Sequence, residues 1–205
     1  AIDELTQDAW EQVGRLLGRM HALTATLPPS HRLRWTPETA STQHLATLMA
    51  AKVLPPDYVS VVERTAKHFI ANATPPFKTC PMQLIHGDCH LGNLIFRPEE
   101  AIHIVDFDDS VVGPVLQDLW MLLPATVDQC ARELSWFKAG YSVFSEFPES
   151  QLKLIPLLRG MRQLHFAAWC AIQVGDPHFS AAFPEWGTPK YWNEWVRGLS
   201  AFTFL

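Results

Sequence analysis

Three oxygen-bearing side chains stand at intervals that chemistry can use. Asp88 and Asn93, five residues apart, frame the stretch "DCHLGN", and Asp106 opens "DFDD" a short way on. Carboxylate and amide oxygens are hard donors, suited to Mg²⁺ rather than to zinc. Phosphoryl transfer needs such a set: one carboxylate receives a hydroxyl proton, while an Asn and a further Asp hold Mg²⁺ against nucleotide phosphates. The spacing D-x-x-x-x-N with a later D is the one found in kinase catalytic and metal-binding loops. Asp and Asn five apart recur by chance. The order strand, His-Gly-Asp, Asn, hairpin, Asp-Phe-Asp, helix is far more specific.

The same stretch, "LIHGDCHLGN", admits other readings. His86, Cys89 and His90 form a pattern that zinc could use, but no second ligand pair at helical or hairpin spacing completes a site. His86, two residues before Asp88, reads as a packed, hydrogen-bonded support. Cys89 reads as a buried thiol, with a reactive one as the alternative. Asp108 and Asp109 read as turn or helix-cap residues, with metal binding as the alternative, and a simple helix cap is one alternative for Asp118.

The elements that must position these groups are short. "MQLIH", "NLIF" and "AIHIVDF" are β-branched or alternating runs bounded by polar turns, and read as strands. Residues 93–96 and 102–105, joined by "RPEEA", read as a hairpin. Folding it back brings the Asp88 loop and Asp106 to one end. Around this island, about 82–108, apolar residues recur at helical spacing. Helices are expected over 3–26, closed by Pro28 and Pro29, and over 42–53, 56–72, 114–123, 127–145, 150–174 and 188–203. "ATPPFKTCP" should end the third, and 175–189 should be an aromatic-rich loop. The expected fold class is mainly α with a small β-hairpin island (α+β), in one domain spanning 1–205. Trp10, Trp120, Trp136 and Trp169 lie in apolar helical patterns and read as core. Trp186, Trp192 and Trp195 are candidates for a cleft wall. Met20, Met121 and Met161 read as core fillers.

Composition narrows the partners. The 205 residues are 48% hydrophobic and 18% charged, with a formal charge of −5. That is globular, and without a Lys/Arg-rich run it gives no nucleic-acid footprint. Four cysteines without a C-x-x-C pair suit reduced thiols. No apolar run approaches a membrane span, and the chain opens on an acidic amphipathic pattern rather than a signal peptide. A cytoplasmic protein without membrane partners is expected.

The motifs "LIHGDCHLGNLIF" and "IHIVDFDDSVVGPVLQDLWMLL" resemble the aminoglycoside phosphotransferase and choline kinase group of protein-kinase-like enzymes. Its signature is H-x-D-x-x-x-x-N, then a strand ending in Asp, then a later D-L. Within the group, "LGRMH", "QDLWMLL", "LRGMR" and "DPHF" look most like the helical lobe of bacterial stress-response kinases, over about residues 10–195. The resemblance implies Asp88 as catalytic base, Asn93 as a Mg²⁺ ligand, and Asp106 as the principal metal ligand bridging to ATP. It implies a supporting role for His86 and for Asp118, the latter as a buried Asp bonded to the catalytic loop. The cofactors implied are Mg²⁺ and ATP as co-substrate. The acceptor implied is a protein Ser/Thr hydroxyl, with a small-molecule alcohol (aminoglycoside, choline or homoserine-like) as the alternative.

Other parts of that group's pattern do not occur. None of the ten glycines forms G-x-G-x-x-G, and no V-A-I-K-like strand carries a Lys. The chain is therefore expected to represent the C-terminal helical lobe without its nucleotide-binding partner lobe. Alone it should bind ATP poorly. A catalytically incompetent lobe serving as a binding module is the rival reading.

Overall fold

Helix α1 begins where Thr6 accepts the Ala9 N–H on its hydroxyl at 3.3 Å, a side-chain cap on one of the orphan donors of the first turn. The computed structural model describes residues 5–28, 31–97 and 101–202. The elements run α1 (Gln7–Thr24), α2 (Thr42–Ala50), α3 (Pro56–Phe77), β1 (Gln83–Ile85), β2 (Leu94–Ile95), β3 (His103–Ile104), β4 (Val111–Gly113), α4 (Gln117–Trp120), α5 (Ala131–Tyr141), α6 (Ile155–Gln173), α7 (Phe179–Ala182) and α8 (Pro189–Ala201). The fold is mainly helical with short strands, as the periodicity predicts. Residues 3–4 and 203 of the expected terminal helices, Pro29, and 98–100 of the hairpin turn lie outside the described residues. Among the described residues no helix is long and apolar enough to cross a membrane.

The chain divides into two compact units. One takes the residues up to Trp35 together with Cys80–Ile155, the other Thr36–Thr79 with the residues from Pro156 onward.

In the first unit α1 lies against α5 at backbone distance. A Cβ on Gly14 would meet Phe137 O at 2.3 Å, one on Gly18 would meet Tyr141 O at 2.5 Å, and one on Gly140 would meet Glu11 O at 2.0 Å. Small residues on both helices permit that approach, and Trp10, Phe137, Tyr141 and Phe147 fill the space beside it with edge-on and stacked rings. The expected hairpin is present: β2 and β3 pair antiparallel, Leu94 opposite Ile104. The run at 82–86 pairs elsewhere. β1 joins β4 antiparallel, with Leu84 opposite Val112. Val112 also exchanges backbone bonds with the segment before α2, its N–H to Leu33 O at 2.9 Å and its O from Trp35 N–H at 2.7 Å. The helix expected over 114–123 shrinks to α4, because the residues on either side close tight three-residue turns instead, Gln117 N–H to Pro114 O at 3.0 Å before it and Leu122 N–H to Leu119 O at 3.0 Å after it.

In the second unit α3 outlasts its expected end. Pro75 and Pro76 fall in its final turn, where each removes one N–H. Buried Ala73 and Phe77 hold that turn against the core all the same. Proline opens α3 at Pro56 and α8 at Pro189, where its missing N–H is an orphan anyway. Gln163 of α6 donates to Trp195 O at 2.7 Å, and Trp195 Nε1 returns a bond to Gln163 O at 3.3 Å. Trp192 and Trp195 of α8 are buried, so they are core and not the cleft wall their spacing allowed. Trp169, expected in the core, is 40% exposed.

Candidate active site

Strand β1 delivers His86, Gly87 and Asp88 at its end, and the backbone there turns sharply. Gly87 has φ +88°, and a Cβ on it would stand 2.6 Å from Asp109 O. Only glycine fits this conformation and this space. The turn is gripped by Asp118, which is fully buried in the first turn of α4. Its Oδ2 accepts the His86 N–H at 2.9 Å, and its Oδ1 accepts the Gly87 N–H at 2.7 Å. Asp118 therefore bonds the loop and does not cap its own helix. His86, also fully buried, donates from Nε2 to Val105 O at 2.8 Å and accepts the Asp88 N–H on Nδ1 at 3.3 Å. Both ring nitrogens are committed, which leaves none for zinc.

Asn93 is tied to the same frame. Its Nδ2 donates to Asp88 O at 2.9 Å, and its backbone O accepts the Val105 N–H at 3.0 Å. A carbonyl can only accept, so the amide nitrogen must face Asp88 O and Oδ1 is turned away from it. Val105 is thus bonded to both Asn93 and His86, and Asp106 follows it directly. Asp106 has φ +65°, a conformation that costs a non-glycine residue on the order of 1 kcal/mol and is found mostly for Asn and Asp. Its side chain is exposed and has no bonded partner among the described residues. Direct hydrogen bonds unite His86, Asp88, Asn93 and Asp118, and Asp106 joins them through the Val105 backbone. Asp108 and Asp109 lie in the exposed turn closed by Ser110 N–H to Phe107 O at 3.1 Å.

The loop's other polar residues are quieter. Burial, then the Asp118 and Asp88 carboxylates, push the Cys89 thiol well above its ordinary range, so it stays a neutral, inert thiol. His90 accepts the Gly92 N–H on Nδ1 at 3.0 Å, which turns Nε2 toward Asp88 Oδ2, 3.6 Å away. Among the described residues no three His, Cys, Asp or Glu side chains gather as a metal-holding cluster.

Two residues of the frame stand within "LGRMH" and "QDLWMLL" without a role assigned to them by the resemblance. His21 of α1 is buried, with Nε2 3.0 Å from Asp118 Oδ2 and Nδ1 3.0 Å from the Tyr141 hydroxyl. Its signal is positional: it continues Val13 and Leu17 at intervals of four, so a polar ring stands on the apolar face. Gln117, fully buried, donates from Nε2 to Gly87 O at 2.9 Å. Nothing in its spacing marks it.

Solved structures share this fold. The chain matches amicoumacin kinase hAmiN, in complex with AMP-PNP, Ca²⁺ and Ami, at a TM-score of 0.63 and 18% identity, over 95% of this chain and 58% of that one. The microcompartment-associated aminopropanol kinase matches at 0.62 and 18% identity, over 98% and 62%. Spectinomycin phosphotransferase APH(9)-Ia, in complex with ADP and spectinomycin, matches at 0.56 and 18% identity, over 100% and 68%. At that identity the likeness is one of fold.

The family model described as the phosphotransferase enzyme family matches residues 3–153, and the chain belongs to that family. Among curated relatives, stress response kinase A of Shigella flexneri is 33% identical over 200 residues, 95% of this chain and 58% of the relative. The serine/threonine protein kinase RdoA of Salmonella typhimurium (strain LT2) is 32% identical over 191 residues, 91% of this chain and 56% of the relative. The chain thus spans a little over half the length of the curated relatives it matches.

Proposed function

We propose that the chain is the catalytic helical lobe of an ATP- and Mg²⁺-dependent phosphotransferase whose acceptor is a protein Ser or Thr hydroxyl. The observation that carries this reading is the bond from Asn93 Nδ2 to Asp88 O, with Asn93 O in turn bonded to Val105 N–H. It sets the candidate base and both candidate metal ligands on one rigid frame.

In this reading Asp88 receives the proton of the acceptor hydroxyl. The acceptor oxygen bonds to the γ-phosphorus as the bond from that phosphorus to the β,γ-bridging oxygen breaks, and ADP leaves. Asn93 Oδ1 and the Asp106 carboxylate would hold Mg²⁺. Two hard oxygens fit a cation that keeps several waters and takes its remaining ligands from nucleotide phosphates. When bound, the metal neutralises charge on the phosphoryl oxygens. His86 and Asp118 touch no reacting atom; they fix the turn from which Asp88 projects. The nucleotide-gripping lobe is assigned to polypeptide outside residues 1–205, in keeping with the longer relatives.

The protein acceptor draws on the kinase names of the relatives that are about a third identical. A small-molecule alcohol is the second reading, supported by the aminopropanol and spectinomycin enzymes that share the fold. Labelled ATP offered with a cell-extract protein pool and with a panel of amino alcohols separates them. Label transferred to Ser or Thr supports the first reading, label in an amino alcohol the second, and label in neither with no ADP formed leaves a binding module.

A further inference from the structure

Asp88 can act as a base only if the peptide that carries it is held in one orientation. That peptide joins Gly87 to Asp88, and glycine offers no side chain to steady it. Its N–H is bonded to His86 Nδ1 at 3.3 Å. Its carbonyl, Gly87 O, receives the Gln117 Nε2–H at 2.9 Å. The preceding peptide is fixed separately, by Gly87 N–H to Asp118 Oδ1 at 2.7 Å. Gln117 and Asp118 are neighbours on α4, so one short element grips both sides of a residue at φ +88°.

The Gln117 amide is itself oriented. Trp120 Nε1 lies 3.0 Å from Gln117 Oε1. An indole N–H only donates, so it must face the amide oxygen, and the amide nitrogen is left for Gly87 O. A flipped amide would set two oxygens against each other inside a region closed to water.

We infer that Gln117, oriented by Trp120, is a positioning residue that locks the Gly87–Asp88 peptide and so aims the Asp88 carboxylate. The inference rests on the reading of Asp88 as the base. Gln117 touches no reacting atom, and its loss should slow turnover without weakening nucleotide binding.

The test uses the intact polypeptide that carries this chain, with ADP release from Mg-ATP and the Asp88 backbone amide signal of ¹⁵N-labelled protein as readouts. Gln117→Met keeps the bulk and removes the donor. Trp120→Phe keeps an aromatic side chain, though a smaller one, and removes the indole N–H. Gln117→Met should lower kcat about tenfold or more with the KM for Mg-ATP within about twofold, the scale of cost expected of a misplaced catalytic group. Trp120→Phe should lower kcat by less, and the double variant should be no slower than Gln117→Met, because Trp120 acts through Gln117. The Asp88 amide should shift in both. A Gln117→Met protein that melts earlier yet keeps its kcat per folded molecule would overturn the inference, as would additive losses in the double variant. A parent polypeptide that releases no ADP would instead defeat the reading of Asp88; an unmoved Asp88 amide would then overturn the clamp as well.

Discussion

The His21 ring and the Asp118 carboxylate, 97 residues apart in sequence, meet at 3.0 Å in the interior. Asp118 already accepts two backbone N–H groups, so His21 Nε2 is the donor. His21 Nδ1 stands 3.0 Å from the Tyr141 hydroxyl, which burial and then Asp118 hold in its protonated form. α1, α5 and the loop after β1 are thereby joined at one carboxylate. Asp118→Asn places an amide nitrogen among donors. It should cost about 3 kcal/mol, the scale for breaking a buried, bonded charge. Urea unfolding of the variant reads this, and a loss below about 1 kcal/mol would mean that Asp118 is not the anchor of the loop.

Gly87→Ala should be more damaging than its size implies. The added methyl would stand 2.6 Å from Asp109 O at a φ of +88°. Strain of about 1–3 kcal/mol is expected before any backbone shift. Gly175, with nothing within 4 Å of its ideal Cβ, is the control, and Gly175→Ala should leave the melting temperature nearly unchanged.

Acid should loosen the second unit first. His44 of α2 stacks on His165 of α6 with ring centroids 4.6 Å apart, and Arg162 Nη1 lies 3.2 Å from His165 Nδ1. Burial, then the Arg162 charge, lowers His44 to about 4; burial, then His44 and Arg162, lowers His165 to about 3. Both folded values lie below the ordinary 6.5, so between them the unfolded chain binds more protons. Their contribution is complete above pH 6.5 and is lost as the pH falls through about 4 toward 3. Melting curves from pH 7 to 4 should show a steeper loss for the parent than for His44→Gln/His165→Gln. Parallel curves would remove the pair from the account.

The metal assignment has its own signature. Asp106→Asn keeps the shape of the side chain and removes its charge. The Mg²⁺ concentration for half-maximal turnover should rise about tenfold or more, since even outer-shell changes at metal sites cost that much. An unchanged Mg²⁺ dependence would exclude Asp106 as a ligand.

Much of this frame is legible in the sequence because it is local. The hairpin needs only Asn93 to Val105, and its alternating residues and polar turn announce it. The Asp88 and Asn93 spacing is visible for the same reason, since five residues of loop fix both. What is hidden depends on distant partners. β4 is three residues long and pairs with β1 across the intervening hairpin, so neither length nor periodicity reveals it. α3 crosses Pro75 and Pro76 because buried Ala73 and Phe77 outweigh the lost backbone bonds. Gln117 looks like any polar residue at the start of a helix until the fold sets Gly87 O beside it. His21 was readable, as an imidazole on an otherwise apolar helix face.

The central claim is that Asp88 takes the acceptor proton. Its most direct test is Asp88→Asn in the intact polypeptide, assayed for transfer of labelled γ-phosphate from Mg-ATP, with Mg-ATP binding measured on the same protein. The account predicts transfer reduced on the order of a hundredfold or more, with the nucleotide bound as before. Transfer at the parental rate would contradict it.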